Sequence, residues 1–397
     1  MRVRLRWVAI AIFFLSSSLN YLDRQLLAAF APTLQKEFHL SYFQYGQIQS
    51  VFSIVYVLVA PLAGLFIDRV GLNLGASIAV ALWSAASVAT GWVGSFRSLL
   101  ACRTVLGIAE AAGIPSTGKA NGSYLEPQEF ALGTSVNQIG VSVGGVAAPL
   151  IAAALAPAYG WRSAFVLCGL LGFVWVPLWF FTSRRIPPKA VAVRKAPAPI
   201  RELLRDRRLW GLVFATIFLM SLYTVWTNWT TLYFVNTWHL SQDEANSRYA
   251  WIPQVCGTLG GFFGGWLAFF WIGRGVDVIG SRLRVGWISG GAILLTAAIP
   301  LMPTPGLAAA AISSSFFWTV CISTNLYALP IDMFGPARAA FGVSALTSAY
   351  GLMQTFASPA IGWMVDHFGF SAVCVAGSVL PLVGVWILHV TAKPRKV

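Results

Sequence analysis

The sequence predicts an all-α membrane protein in which twelve transmembrane helices form two six-helix bundles. Three observations support this prediction: the composition, the lengths of the apolar runs and the placement of the basic residues. Of the 397 residues, 57% are hydrophobic and 10% are charged, whereas about 25% of the residues in a soluble domain are charged. A single chain cannot bury so much apolar surface in water, so we expect it to be embedded in a lipid bilayer.

The apolar runs have the length of membrane-spanning helices, which need about 20 residues to cross the hydrocarbon core. In the first half the runs lie near 7–31, 45–67, 74–93, 98–117, 131–156 and 162–182. In the second half they lie near 209–235, 250–272, 285–302, 306–330, 339–365 and 370–391. Arginines precede the first run, as in a signal peptide, but no cleavage site with a soluble domain follows, so we interpret this run as an uncleaved helix.

The basic residues predict the orientation of the chain. With both termini in the cytoplasm, only four of the 27 Lys and Arg fall on the outer side and two within spans, as the positive-inside rule requires. The net charge of +14 is therefore explained by topology, and no nucleic-acid partner is expected. We predict a multi-pass protein of the cell (inner) membrane that is a monomer.

The longest basic segment, 184–208, contains nine Lys and Arg and four Pro, and we interpret it as a cytoplasmic linker. Its charge serves either as a topology signal or as a contact with anionic lipid headgroups. The linker separates an N-terminal bundle, 1–183, from a C-terminal bundle, 209–397. A faint repeat supports two halves, since Pro149 precedes Tyr-Gly-Trp at 159–161 and Pro359 precedes Phe-Gly-Phe at 368–370.

Four ionisable residues lie well inside predicted spans: Asp23 and Arg24 in the first, and Arg103 and Glu110 in the fourth. A charge at the bilayer centre costs several kcal/mol unless it is paired or hydrated, so such residues indicate function. Arg103 and Glu110 are seven positions apart, which places them on one helix face about 10 Å from each other. Gly107 lies between them, and we expect it to leave space on that face.

These residue types suit the binding of an organic anion. An arginine binds a carboxylate through two parallel hydrogen bonds, and a carboxyl group in a dry cavity beside an arginine can gain and lose a proton. Two structural ion pairs that join the two helices are the open alternative. In the second half, Asn325 and its polar neighbours either bind substrate hydroxyls or take part in ordinary interhelical packing.

A loop signature follows the second predicted span. Residues Gly64–Gly71 read G-L-F-I-D-R-V-G, which resembles the signature of the major facilitator superfamily. The resemblance implies the major facilitator fold, alternating access and a cytoplasmic gate that includes Asp68 and Arg69. Where related chains carry polar gate residues, this sequence has Leu72, Phe130 and Phe269.

A narrower resemblance covers nearly the whole chain. It rests on Asn20–Gln25 in the first span, Arg103-x-x-x-Gly107-x-x-Glu110 in the fourth, Gln138 in the fifth, and Thr324–Pro330 in the tenth. Together these segments resemble the anion:cation symporter family, especially bacterial hexuronate and aldonate transporters.

The narrower resemblance implies roles for single residues. Arg24 and Arg103 would meet the substrate carboxylate, and Asp23 and Glu110 would carry proton coupling. Two tyrosines and a glutamine would line the same cavity: Tyr21, Tyr56 and Gln138.

The sequence therefore predicts a secondary transporter that carries an organic anion, a sugar acid such as a hexuronate or aldonate, together with protons. The alternative within transport is a Spinster-like facilitator that exports lipid-like or drug-like molecules, for which an apolar cavity is expected. The five Cys and four His show no metal-ligand spacing, so neither an enzyme nor a metal site is predicted, and no cofactor is expected.

Overall fold

The computed structural model describes residues 2–186 and 200–392, and within these residues it contains helices and turns but no strands. The predicted linker 184–208 lies largely outside the described residues. The helices of the first half are α1 Arg2–Ala29, α2 Ala31–Phe38, α3 Tyr42–Val70, α4 Leu72–Thr90, α5 Phe96–Glu110, α6 Gly113–Tyr124 and α7 Phe130–Arg185.

The helices of the second half begin within the last part of the predicted linker. They are α8 Ile200–Arg205, α9 Arg207–Leu219, α10 Ser221–Asn228, α11 Thr230–Trp238, α12 Gln242–Ala245, α13 Ile252–Ile272, α14 Val278–Ile293, α15 Pro305–Phe334 and α16 Pro336–Thr391. A π-helical turn, Asn246–Ala250, follows α12, and a 3-10 segment, Leu294–Leu301, follows α14.

Ten helical stretches within the described residues are long and apolar enough to cross a membrane. Two of them, in α7 and α16, have 54 and 51 residues, more than twice the length that a crossing needs. Each is interrupted by a glycine in a positive-φ conformation that only glycine adopts readily: Gly160 (φ 74°) and Gly369 (φ 71°). These are the glycines of the repeat seen in the sequence. The count of twelve spans stays a prediction.

A second repeat becomes visible in the backbone. The segments 38–41 and 238–241 read Phe-His-Leu-Ser and Trp-His-Leu-Ser. His39 and His239 both have positive φ, 50° and 52°, which is uncommon outside glycine. In both copies the serine caps the next helix by accepting a backbone N–H bond of 3.1 Å. The same local structure thus occurs at equivalent points of the two halves.

The chain forms two compact units. Unit 1 consists of Met1–Val193 and His239–Trp251, and unit 2 consists of Arg194–Trp238 and Ile252–Val397. The segment His239–Trp251, here called the strap, therefore belongs to unit 1 although its sequence lies in the second half. The division into bundles 1–183 and 209–397 stays a prediction.

Hydrogen bonds hold the strap in unit 1. The Gln242 side-chain oxygen accepts bonds from the backbone N–H (3.0 Å) and the hydroxyl (2.8 Å) of Thr33. The Asn246 amide donates to the Ala29 carbonyl at 2.9 Å, and Asn246 is fully buried. That carbonyl is in the last residue of α1, where a helix leaves its carbonyl groups without intrahelical partners.

A charged cluster in unit 1 connects α2 with the part of α7 that follows Gly160. Trp161 Nε1 and Arg162 Nη2 each donate to the Glu37 carboxylate at 2.6 Å, and Arg162 Nη2 also donates to the Val93 carbonyl at 3.1 Å. Burial opposes ionisation of Glu37, but the hydrogen bonds from Arg162 and Trp161 outweigh it and lower the pKa of this carboxyl group.

Glycines allow close helix packing within each unit. A Cβ atom on Gly144 in α7 would lie 2.2 Å from the Ser18 carbonyl oxygen of α1. A Cβ atom on Gly264 in α13 would lie 2.6 Å from the Cys321 carbonyl oxygen of α15. Gly265, the next residue of α13, differs, because no described atom lies within 4 Å of the place its Cβ would take.

The neighbouring glycines of α13 give a matched test of this packing. We expect Gly264→Ala to lower the free energy of unfolding by about 1–3 kcal/mol, the usual cost of overpacking, because the added methyl group meets helix backbone. Gly265→Ala is the control and should leave the melting temperature of the purified protein unchanged or slightly higher. Equal melting temperatures for the two variants would contradict the close approach at Gly264.

The Glu37 cluster predicts a pH dependence of stability. Because the folded-state pKa of Glu37 lies below the unfolded-state value, its stabilising contribution is complete above the unfolded pKa, about 4.3, and is lost as the pH falls through the folded pKa. We expect Glu37→Gln to melt at a lower temperature than the wild type near pH 7, with a gap that narrows below about pH 4. Since Glu37 and Arg162 are partly exposed, the gap should be modest. A gap that is constant with pH would contradict this assignment.

Candidate functional site

The centre of the candidate site is an ion pair between α1 and α5. Arg24 Nε donates to Glu110 Oε2 at 2.6 Å, and the Glu110 side chain has no solvent exposure. Three aromatic rings, those of Tyr21, Phe52 and Tyr56, lie 5.1, 4.9 and 4.8 Å from the Arg24 guanidinium carbon. Cation–π attraction and the exclusion of water by these rings strengthen the ion pair.

The ion pair leaves Arg24 able to bind a further anion. A guanidinium carries five N–H donors, and Glu110 takes the one on Nε. The Arg24 side chain is 21% exposed, so a ligand can reach it. Glu110 is the last residue of α5, and the chain turns at Ala111 and Ala112 before α6 begins.

Asp23, the neighbour of Arg24 in α1, has a different environment. It is 2% exposed and accepts a hydrogen bond on Oδ1 from the Ser87 hydroxyl of α4. The Cys168 thiol of α7 also lies beside the carboxyl group. Within the part of the chain that the structure describes, Asp23 makes no ion pair, so its direct partners are uncharged.

Arg103 in α5 is a buried arginine, and two of its three guanidinium nitrogens have no hydrogen-bond partner in the part of the chain that the structure describes. It is 3% exposed, and its Nε and Nη2 atoms are buried without a partner among the described residues. Glu110 Oε1 is also buried without a hydrogen-bond partner among the described residues. Both Glu110 and Asp23 act electrostatically on Arg103. A buried guanidinium of this kind is unfavourable unless an anion or water joins it.

The structure shows which of the two possible ion pairs is present and what lies beside Gly107. Of the two structural ion pairs left open, the one between Arg24 and Glu110 is present, and Asp23 and Arg103 do not form the other. The space expected beside Gly107 is absent, because a Cβ atom there would lie 3.0 Å from the Phe52 carbonyl oxygen. Backbone of α3 occupies that face of α5.

Two other predicted residues have environments of their own. The Gln138 side chain in α7 is exposed. Asn325 in unit 2 donates to the carbonyl groups of Gly264 and Cys321 at 3.0 Å each and accepts from Arg282 Nη1 at 3.1 Å. Its amide is therefore engaged in interhelical packing, the open alternative for this residue.

Sequence reasoning missed an ion pair in unit 2. Arg282 of α14 donates through Nε to Asp332 of α15, and the two side chains are 17% and 16% exposed. Both residues lie just outside the predicted spans 285–302 and 306–330, whereas α14 and α15 extend past those limits to Val278 and Phe334. Helix boundaries are the least reliable part of a sequence-based prediction.

The predicted gate residues lie at the end of α3. Asp68 forms an ion pair of 3.0 Å with Lys119 of α6, whose ammonium also donates to the Ile67 carbonyl at 2.8 Å. Arg69 is exposed. Lys119 was missed because it lies two residues beyond the predicted span 98–117, whereas α6 extends to Tyr124.

Comparisons with known proteins identify the family. Residues 13–345 match the family model described as Major Facilitator Superfamily. The chain is 27% identical to the hexuronate transporter of Escherichia coli (strain K12), over 97% of this chain and 93% of that protein. It is 29% identical to the galacturonate transporter of Dickeya chrysanthemi, over 78% of this chain and 95% of that protein.

A solved structure gives the same result for the fold. A bacterial homologue of the human lysosomal transporter Spinster, in an inward-facing and unoccupied conformation, superposes with a TM-score of 0.77 at 20% identity, over 98% of this chain and 95% of that one. This similarity confirms the predicted all-α major facilitator fold. The curated relatives confirm the predicted resemblance to sugar-acid transporters. The chain belongs to the Major Facilitator Superfamily and is a multi-pass membrane transporter, not an enzyme.

Proposed function

We propose that the protein is a symporter that imports an organic carboxylate, a sugar acid such as a hexuronate or aldonate, together with protons by alternating access. The observation that carries this proposal is the buried charge cluster of unit 1. It contains one guanidinium, Arg103, with unpartnered donors and another, Arg24, with donors to spare beyond its bond to Glu110.

The cluster selects for an anion. Two arginines supply the charge and the paired N–H donors that a carboxylate binds best. The cluster is mostly buried, so the contacts between its arginines and a carboxylate act at a low dielectric constant. Such contacts are stronger there than at a protein surface. The names of the relatives from Escherichia coli and Dickeya chrysanthemi, a hexuronate transporter and a galacturonate transporter, support a sugar acid.

Charge balance within the cluster supports proton coupling. Asp23 and Glu110 offset Arg24 and Arg103 when all four are ionised, so the cluster is neutral. A bound monocarboxylate adds one negative charge, and an uncompensated charge inside a membrane costs several kcal/mol. Protonation of one carboxyl group restores neutrality, which favours at least one proton for each anion.

Competition between Glu110 and the substrate carboxylate for Arg24 couples proton binding to anion binding. Glu110 holds Arg24 through a 2.6 Å hydrogen bond, and a substrate carboxylate would require the same guanidinium. Protonation of Glu110 removes its charge and releases Arg24 for the substrate. Asp23, with uncharged partners, is the second site for a proton.

We assign the other predicted residues of the site and of the gate on the same basis. Tyr21, Tyr56 and Gln138 line the substrate cavity, and Asp68 and Arg69 belong to the cytoplasmic gate, where Lys119 joins Asp68. The protein acts as a monomer in the inner membrane, with both termini in the cytoplasm. The Spinster-like exporter is the weaker candidate, since it rests on a similarity of fold, and an exporter of lipid-like molecules does not require buried arginines.

Uptake into proteoliposomes tests the proposal directly. We expect saturable uptake of labelled galacturonate or galactonate that is stimulated by an inward proton gradient and abolished by a protonophore, because neutrality of the cluster requires a proton for each anion. Liposomes without protein are the control. Uptake that ignores the proton gradient and follows a sodium gradient would contradict proton coupling, and the absence of uptake for all sugar acids would contradict the substrate class.

Substitution of the arginines tests the site. We expect Arg24→Ala and Arg103→Ala each to weaken binding of the sugar acid by at least about tenfold, since a hydrogen bond to a charged group contributes about 1.5–3 kcal/mol. Binding would be measured by calorimetry on folded protein in detergent. Arg248→Ala is the matched control, because Arg248 is exposed and its ion-pair partner among the described residues is Glu244, four residues away. Wild-type affinity in either arginine variant would remove that residue from the site.

A further inference from the structure

Ser87 lies between two acceptors deep inside unit 1. Its hydroxyl oxygen is within hydrogen-bond distance of Asp23 Oδ1 in α1 and 3.0 Å from the Phe165 carbonyl oxygen in α7. Ser87 is 1% exposed, and Asp23 and Phe165 are each 2% exposed. Bulk water therefore cannot replace either of these hydrogen bonds.

One hydroxyl cannot donate to both acceptors at full strength, because serine has a single O–H proton and two lone pairs. When Asp23 is ionised it has no proton to donate, so the Ser87 proton must point at the carboxylate. When Asp23 is protonated, its own O–H can donate to Ser87 Oγ, and the Ser87 proton is then free for the Phe165 carbonyl. In the protonated state the three groups can form a chain of two hydrogen bonds, from Asp23 to Ser87 and from Ser87 to the Phe165 carbonyl.

Close packing keeps Ser87 at this position in both states. A Cβ atom on Gly169 of α7 would lie 2.6 Å from the Ser84 carbonyl oxygen of α4, and one on Gly172 would lie 2.0 Å from the Ser84 hydroxyl. The two helices are in backbone contact there, one turn from Ser87. This packing holds the backbone of Ser87 close to α7, so that a change of hydrogen-bond partner needs only a change in the direction of its O–H bond.

The other groups that act on Asp23 do not take over this role. Cys168 of α7 is beside it, but a thiol is a weak donor and a weak acceptor. Arg103 and Glu110 of α5 are charged groups that act on it or its neighbours at longer range, and neither forms a hydrogen bond with it among the described residues. Ser87 is thus the strong neutral partner of the Asp23 carboxyl group.

We propose that Ser87 is a positioning residue whose hydroxyl reverses its hydrogen bond when Asp23 gains or loses a proton, so that this buried carboxyl group has a partner in both states. In the ionised state the bond runs from Ser87 to Asp23. After one proton binds to the carboxylate, the bond runs from Asp23 to Ser87, and Ser87 donates to the Phe165 carbonyl. The inference rests on the proposed proton coupling and adds the residue that lets Asp23 take part in it.

Infrared difference spectroscopy tests the proposal without substrate. The C=O stretching band of protonated Asp23 is obtained as the band that Asp23→Asn removes from the spectrum of reconstituted protein at acidic pH. We expect Ser87→Ala to move this band to higher wavenumber, because the carboxyl group loses its partner. Ser87→Thr, which keeps a hydroxyl group, should leave it in place. Ser84→Ala is the matched control, since Ser84 is also buried in α4, and among the described residues its hydroxyl donates within its own helix, to the Val80 carbonyl.

Transport gives the second readout. We expect Ser87→Ala to slow gradient-driven uptake by about tenfold, the effect of one lost hydrogen bond to a charged group, with an unchanged KM for the anion, and Ser87→Thr to restore the rate. A band that stays in place in Ser87→Ala would overturn the role of Ser87 while leaving symport intact. If Asp23→Asn removes no band at any pH, Asp23 does not bind the proton, and the role proposed for Ser87 is wrong as well. Symport itself is judged separately by the uptake of the wild type.

Discussion

Arg24 and Glu110 are joined by an ion pair in unit 1, and the helices around it bury Glu110 completely and shield most of the Arg24 side chain from water. Moving two charges from water into a protein interior costs several kcal/mol per ion, which their attraction offsets only with good geometry and additional partners. Here the partners come from α3, whose Phe52 and Tyr56 rings lie against the guanidinium. The approach of α3 in turn requires Gly107, where any side chain would meet the backbone at Phe52.

Much of this arrangement is predictable from the sequence, and the reasons are elementary. Charged residues are so unfavourable in long apolar runs that Asp23, Arg24, Arg103 and Glu110 indicate a site by their presence alone. The spacing of Arg103 and Glu110 places them on one helix face without any knowledge of the fold. The sequence also contains the motif repeated at Gly160 and Gly369, and both glycines have the backbone conformation that interrupts a helix.

What the sequence does not predict is which side chains pair between helices. Pairing depends on the rotation of each helix about its axis, and no local pattern reports that rotation. Ser87 looks like any small residue in an apolar run, yet it contacts Asp23. Asn325 looks like a ligand-binding residue, yet Arg282 and the backbone of α13 and α15 use its hydrogen-bonding groups. Gly107 was interpreted as open space, although a glycine marks a close backbone approach as readily.

The strap changes how unit 1 can be completed during synthesis. Its residues His239–Trp251 follow α11 in the chain, so all of α1 to α7 leaves the ribosome before the segment that caps the Ala29 carbonyl exists. The first helices can enter the membrane in order, but the Ala29 carbonyl gains its Asn246 partner only after translation has passed that residue. A fragment that ended in the linker would lack this segment permanently. The last hydrogen bonds of the N-terminal unit, those of Asn246 and Gln242, therefore form only after the first part of the second half has been made.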